Sequence, residues 1–203
     1  MSTTTAAPVT WQVRITNLTP VGNGAPGSQP LSPPVFVVHR AAVHVWREGE
    51  IASHALVAVT EDANNAVLVA AMSKLDDVVE AFASTGGPIP SGQSADFTVR
   101  VRPGLRLSIV TMLVNTNDGF TGVDSIRPQG QQFTVREDAY DSGSEVNNEL
   151  AKFIPGPCCG NFFVREPEGE VIRHHEGITG RGDLDPAVHG WRDPVAEFAF
   201  TRA

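Results

Sequence analysis

Two alternating runs joined by Pro103-Gly104 constrain this chain more than any other feature. In the first, Ala95, Phe97, Val99 and Val101 alternate with Ser94, Asp96, Thr98 and Arg100. In the second, Leu105, Leu107, Ile109 and Thr111 recur at every other position. Successive side chains of an extended backbone point to opposite faces, so a period of two gives each run one apolar face. The Pro-Gly pair presets a tight turn, and the two runs read as a hairpin. The same alternation recurs from Val9 to Leu18 and in a closing strand from Val195 to Thr201. Val35–His39 is a short apolar run of the kind that is buried in a sheet. With 19 Gly and 15 Pro among 203 residues, the connections are many and tight, which excludes a helical bundle. The expected fold is dominated by β-structure: an antiparallel β-sandwich.

One stretch breaks the pattern. Between residues 50 and 84, Leu56, Val59, Val67, Leu68, Ala71, Leu75, Val78, Val79 and Phe82 recur at three- and four-residue spacing. This predicts a helical insertion of two or three short helices, broken near Asp62-Ala63-Asn64-Asn65. Val43–Trp46 reads as extended, Phe120–Ile126 and Gln132–Val135 as short strands, and Val146–Phe153 as a helical turn or two. Residues 1–8 read as a polar arm, 19–34 as a long loop, and 9–203 as one domain.

Charge removes several function classes. The formal net charge of −8 disfavours nucleic acid and anionic membranes, which need a basic face. No apolar run is long enough to span a bilayer. The first ten residues lack the basic and apolar stretches of a secretory signal. Cys158 and Cys159 are adjacent; two ordinary thiols are the expectation, and a vicinal disulfide is the alternative.

The densest chemistry lies between residues 111 and 145. Thr-Met-Leu-Val-Asn-Thr-Asn-Asp-Gly-Phe-Thr-Gly-Val-Asp-Ser (111–125) and Ala-Tyr-Asp-Ser-Gly-Ser-Glu (139–145) are two groups of short oxygen-bearing side chains. Between them lies a strand-like segment. Hard cations such as Ca²⁺ take several oxygens from Asp, Asn and backbone carbonyls on tight loops. Gly119, Gly122 and Gly143 let the chain turn there. Either cluster alone reads first as turn formers; two clusters joined by one strand raise the metal reading.

These two segments, with Gly-Pro-Ile-Pro-Ser-Gly (87–92) and Asp-Pro-Val-Ala-Glu-Phe-Ala-Phe-Thr-Arg (193–202), carry a family resemblance. The chain resembles the spondin N-terminal domain family in its compact bacterial branch, from about Val9 to Arg202. The resemblance implies an eight-stranded sandwich similar to the calcium-dependent lipid-binding modules, with a cation, usually Ca²⁺, at loops on one end. It implies a non-enzymatic adhesion or interaction module, extracellular or at the cell surface, whose partner is a protein or a surface glycan. Asp124 and Asp141 match the family's acidic positions, with Asp118 and Glu145 beside them as further candidate metal ligands. The cysteines and flanking repeats of animal members are missing.

Other constellations compete. His174 with His189 or His39, joined by Glu176, Asp183 or Asp185, supplies the donors of a Zn²⁺ or Cu²⁺ site, in an enzyme or a binding protein. Arg181-Gly182-Asp183 spells a tripeptide that adhesion receptors read. No Gly-x-Ser-x-Gly elbow or phosphate loop is present, so hydrolase and nucleotide readings lack their motifs. The non-enzymatic rival is a self-assembling subunit of a surface layer, fibre or particle, with the polar arm and long loops as contacts.

Overall fold

The computed structural model describes residues 6–22 and 27–203. Most of the expected arm over residues 1–8 and part of the 19–34 loop lie outside the described residues. Among the described residues, ten strands form two antiparallel sheets, where the resemblance implied eight strands. The strands are β1 (Val9–Asn17), β2 (Val35–His39), β3 (Val78–Ala83), β4 (Ser94–Val101), β5 (Arg106–Met112), β6 (Gly119–Ile126), β7 (Gln132–Glu137), β8 (Tyr140–Asp141), β9 (Arg173–His174) and β10 (Ala196–Arg202). One sheet has the order β4-β1-β10-β7 and the other β3-β2-β5-β6-β8-β9. The fold is a β-sandwich with two helices, α1 (His54–Asp62) and α2 (Asn65–Met72), and a single further turn, α3 (Pro186–His189).

The sandwich core is built from alternating positions. Trp11, Val13 and Ile15 of β1, Val99 and Val101 of β4, and Phe198 and Phe200 of β10 face Phe36, Val38, Leu107, Ile109 and Val123 of the other sheet. Phe36 stacks on Phe82 at 5.1 Å between ring centroids and tilts against Phe97 at 5.2 Å. The second face of the six-stranded sheet is covered as well. Val35, Val37, Val110 and Phe120 pack there against Leu56, Val59, Leu68 and Met72 of the two helices. This explains why every residue of β2 is buried: a strand covered on both faces is apolar throughout, whereas β4 and β7 alternate.

That contrast corrects the expected hairpin. β4 pairs with β1, and β5 pairs with β2 and β6. The Pro103-Gly104 turn is therefore a corner between sheets, not a hairpin loop. β5 is buried on both faces from Leu107 onward and belongs to the covered sheet. A second correction concerns Val78, Val79 and Phe82, which fit the helical spacing but form β3. The β-branched pair favours extended backbone, and Phe82 gains its stack on Phe36 only in register with β2. The helical break falls where expected: Ala63 adopts φ 53° after α1, and Ser53 caps its start by accepting from the Leu56 N–H. No strand forms at Val43–Trp46; the chain is irregular there, between turns at 41–42 and 48–49. Residues 146–153 hold only a 3-10 turn, Ala151–Phe153. Cys158 and Cys159 are joined as a vicinal disulfide, contrary to the expected pair of thiols.

Polar pins fix the loops at one edge. Asn17 continues the inward row of β1, but its amide donates to the carbonyls of Gln29 and Ile89 and its oxygen accepts from Thr19. A buried side chain with this many backbone partners orders two loops at once.

Phe36→Ala removes a ring that is fully enclosed between the two sheets. Urea unfolding is expected to show a loss of about 3–5 kcal/mol. Thr98→Ala on the solvent face of β4 is expected to stay within about 0.5 kcal/mol of the parent.

Candidate functional site

β6 begins at Gly119 and pairs with β8, Gly119 facing Asp141 and Phe120 facing Tyr140. This short ladder brings the turn before β6 against the turn after β8. Asp118 from the first turn, Asp141 at the end of β8 and Glu145 from the turn after it are all buried, at 0%, 1% and 0% exposure. Helix α1 closes over them, and Thr60 donates to the Ser142 hydroxyl at 3.0 Å.

Each carboxylate has a distinct environment. Asp118 Oδ2 accepts from the Ser142 hydroxyl at 2.9 Å, the Ser144 N–H at 2.8 Å and the Glu145 N–H at 3.1 Å. Its Oδ1 is buried with no hydrogen-bond partner. Burial, reinforced by the charge of Asp141, pushes its pKa up to about 7. Glu145 Oε1 accepts from the Glu166 N–H at 3.1 Å, while Oε2 is buried and unpartnered. Burial pushes Glu145 up to about 8. Asp141 is fully engaged: Gly143 N–H, the Asn147 amide and Arg173 at 2.9 Å occupy its oxygens.

Asp124 stands elsewhere. It lies five residues along β6 from the position facing Asp141, roughly 16 Å away at about 3.3 Å per strand residue. Its carboxylate accepts from the Ser108 hydroxyl, the Val45 N–H and His44. The structure therefore sets Asp124 apart from Asp141 along β6. No group of three or more His, Cys, Asp or Glu side chains among the described residues is arranged to hold a metal. For a family-type cation, Asp118 and Glu145 are the residues that would hold it, each with one buried oxygen that has no hydrogen-bond partner, Glu145 Oε2 standing 3.8 Å from Arg165 Nε; the oxygens of Asp124 and Asp141 are taken by protein donors.

Sequence reasoning missed the arginines. Arg165, Arg173 and Arg181, spaced by eight, each enter an acidic group. Arg165 Nε lies 2.6 Å from Glu61 and 3.8 Å from Glu145, and the same guanidinium pairs with Asp62. Arg173 bridges Asp141 and Glu168 at 2.9 and 2.7 Å. Arg181 meets Glu176 at 2.6 Å and Glu149 at 3.8 Å. Their partners lie on distant segments, so no local pattern in the sequence signals them.

Glu149 was missed as well. It adopts φ 57° and its carboxylate accepts from the N–H groups of Thr179, Gly180 and Arg181 and from the Thr179 hydroxyl. Burial opposes its charge, but these donors outweigh burial and hold its pKa below the ordinary value. This carboxylate also fixes the Arg181-Gly182-Asp183 segment. Arg181 is paired to Glu176, and Asp183 accepts from the Ala151 N–H. A Cβ on Gly182 would lie 2.4 Å from the Asn148 carbonyl oxygen. The tripeptide is bound to its own protein.

The histidine site does not form either. His174 bonds to Asp193 at 2.9 Å, His175 is buried edge-on against Trp191, and Asp185 caps α3. Burial pushes His175 down to about 3.

A β-sandwich module with a carboxylate-lined end is the class this geometry defines. The Spondin_N family model matches residues 28–135, more than half of the chain. The chain belongs to the spondin N-terminal domain family, a family of non-catalytic, typically extracellular modules. No curated protein matches it. The matched stretch contains Asp118 and Asp124, whereas Asp141, Glu145 and the three arginines lie beyond it.

Two measurements test this account. Asp118 and Glu145 hold protons in the folded protein that the unfolded chain loses near pH 4. Their stabilisation is complete below that range and falls as pH rises through about 7 and 8. His175 acts in a lower window, losing stability as pH falls below its ordinary 6.5. In chelator-treated protein the melting temperature is expected to drop between about pH 6.5 and 8.5, and Asp118→Asn to flatten that slope. Glu149→Gln removes the charge from four hydrogen bonds and is expected to cost about 1.5–3 kcal/mol in urea unfolding.

Proposed function

We propose that this protein is a non-enzymatic, calcium-binding interaction module acting outside the cell or at the cell surface, with a protein or a surface glycan as partner. The observation that carries this reading is a pair of oxygens, Asp118 Oδ1 and Glu145 Oε2, both buried and without a hydrogen-bond partner, the second 3.8 Å from Arg165 Nε. A buried acceptor left unpaired costs free energy, and a hard cation that prefers oxygen ligands relieves that cost. Ion binding confined to the folded form then stabilises the fold, by about 2.7 kcal/mol at a hundredfold excess over Kd. The ion would stiffen the two turns flanking the β6–β8 ladder and fix the surface they present.

Calorimetric titration of chelator-treated protein tests this. Millimolar Ca²⁺ is expected to release heat and raise the melting temperature. Asp118→Asn is expected to abolish both effects, while Asp96→Asn on the exposed face of β4 keeps them. Unchanged heat and melting temperature in the parent protein overturn the calcium reading.

Self-assembly is the second reading. Phe162, Phe163 and Val164 stand exposed in a row at 53%, 76% and 44%, an apolar run that a lone soluble module has no reason to display. Light scattering separates the two: a clean monomer at high concentration rejects assembly and leaves the calcium reading standing.

A further inference from the structure

An apolar cavity of about 600 Å³ lies where three loops meet. Pro30 comes from the loop before β2, Pro88 from the loop before β4 and Pro157 from the segment after the 3-10 turn. Met112 and Phe162 add further apolar wall. Proline carries no N–H, so such a wall offers little to a polar guest. The two polar side chains of the lining are already engaged. The Ser32 hydroxyl accepts from the Met112 N–H at 2.9 Å, and Asp62 pairs with Arg165. The cavity therefore selects an apolar group.

Phe163 stands at the rim of this cavity, next to Phe162, with 76% of its surface exposed. Its backbone is left-handed, at φ 63°, a conformation that bulky side chains avoid. Neighbouring groups hold it there. Its N–H donates to Asp62 Oδ1 at 3.1 Å, at the end of α1. Arg165 donates to the Val164 carbonyl at 2.8 Å and to Glu61 at 2.6 Å. The ring is thus presented to solvent on a pinned and strained backbone, beside a cavity that suits an aromatic side chain. We propose that two copies of this chain close into a dimer, Phe163 of each entering the proline-walled cavity of the other.

This pair, which rests on the self-assembly reading, makes that assembly closed and not extended. Knob and hole share one rim, so a two-fold axis beside them satisfies both contacts at once. A knob far from its hole would build an open chain instead. Phe162, Phe163 and Val164 together expose roughly 300 Å², taking about 200 Å² for a phenylalanine. Covering that surface and the wall opposite it, on both copies, buries about 1,000 Å² in all. This is the small end of specific interfaces, so the dimer dissociates reversibly on dilution. Charge does not oppose the approach at the knob: Glu61 and Asp62 beside it are both engaged by Arg165, and neither meets the second copy alone.

Sedimentation of the full chain from about 1 μM to about 1 mM tests the pair. The parent is expected to pass reversibly from monomer to dimer and to stop there. Phe163→Ala removes the knob and is expected to weaken dimerisation about a hundredfold, tenfold for each of two rings. Phe163→Gly, whose backbone suits φ 63°, gives the same loss in a monomer free of that strain. Pro88→Glu puts a charge on the wall of the hole and is expected to weaken dimerisation as well. Both positions are exposed, so the variant monomers keep the fold. Mixing Phe163→Ala with Pro88→Glu restores one intact knob and hole, and the mixture is expected to associate about tenfold more tightly than either variant alone. A parent that stays monomeric overturns the pair and self-assembly together. A dimer that survives Phe163→Ala overturns this interface and leaves self-assembly standing. Growth beyond a dimer, or no gain on mixing, overturns reciprocal insertion. A monomer that retains an apolar small molecule in native mass spectrometry gives the cavity to that ligand and overturns the pair.

Discussion

A sheet covered on both faces has no water to satisfy its polar groups, and that constraint governs the rest of this molecule. Sandwich core on one side and helices on the other enclose β2, β5 and the start of β6. Any hydroxyl, imidazole or carboxylate placed there must find its partners inside the protein. His39, Ser108 and Asp124 meet that demand by bonding to one another across three strands. Asp118 and Glu145, at the edge of the same enclosure, each leave one oxygen unmet. The internal network and the unmet oxygens are two outcomes of the same burial.

The segment from residue 154 to 192 completes the acidic end. It contributes little regular structure, yet it delivers three guanidinium groups to acids on α1, on β8, and on itself. Around Arg165, where the pairs are largely buried, losing one partner leaves an uncompensated charge. Arg165 and Arg173 sit beside the carboxylates that the resemblance assigns to a cation. They set the charge against which any ion at Asp118 and Glu145 would be bound.

Much of the fold was legible because half-buried strands write their geometry as alternation. β1, β4, β7 and β10 each have one wet face; the alternation of β1, β4 and β10 was read directly from the sequence, and β7 was read as a short strand. Legibility failed where both faces are dry. β5 lost its diagnostic contrast, so its partner was mistaken, and β3 carries valines whose spacing also suits a helix. Four acidic candidates were readable, and three of them cluster; register decided the fourth. Asp124 sits at the far end of β6, a fact fixed by pairing with β8 and not by distance along the chain. The roles of Glu149 and the three arginines depend on contacts between distant segments, which no local pattern records.

The pairing of β1 with β10 has a mechanical consequence. The two are antiparallel neighbours in the middle of their sheet, with Trp11 opposite Arg202 and Asn17 opposite Ala196. The chain therefore enters and leaves at the same end of this ladder. A force applied between the two ends would open it one backbone pair at a time, like a peeled strip, while a tether at one end alone would leave it unloaded. How such a module is attached to its surroundings would decide how much tension it survives.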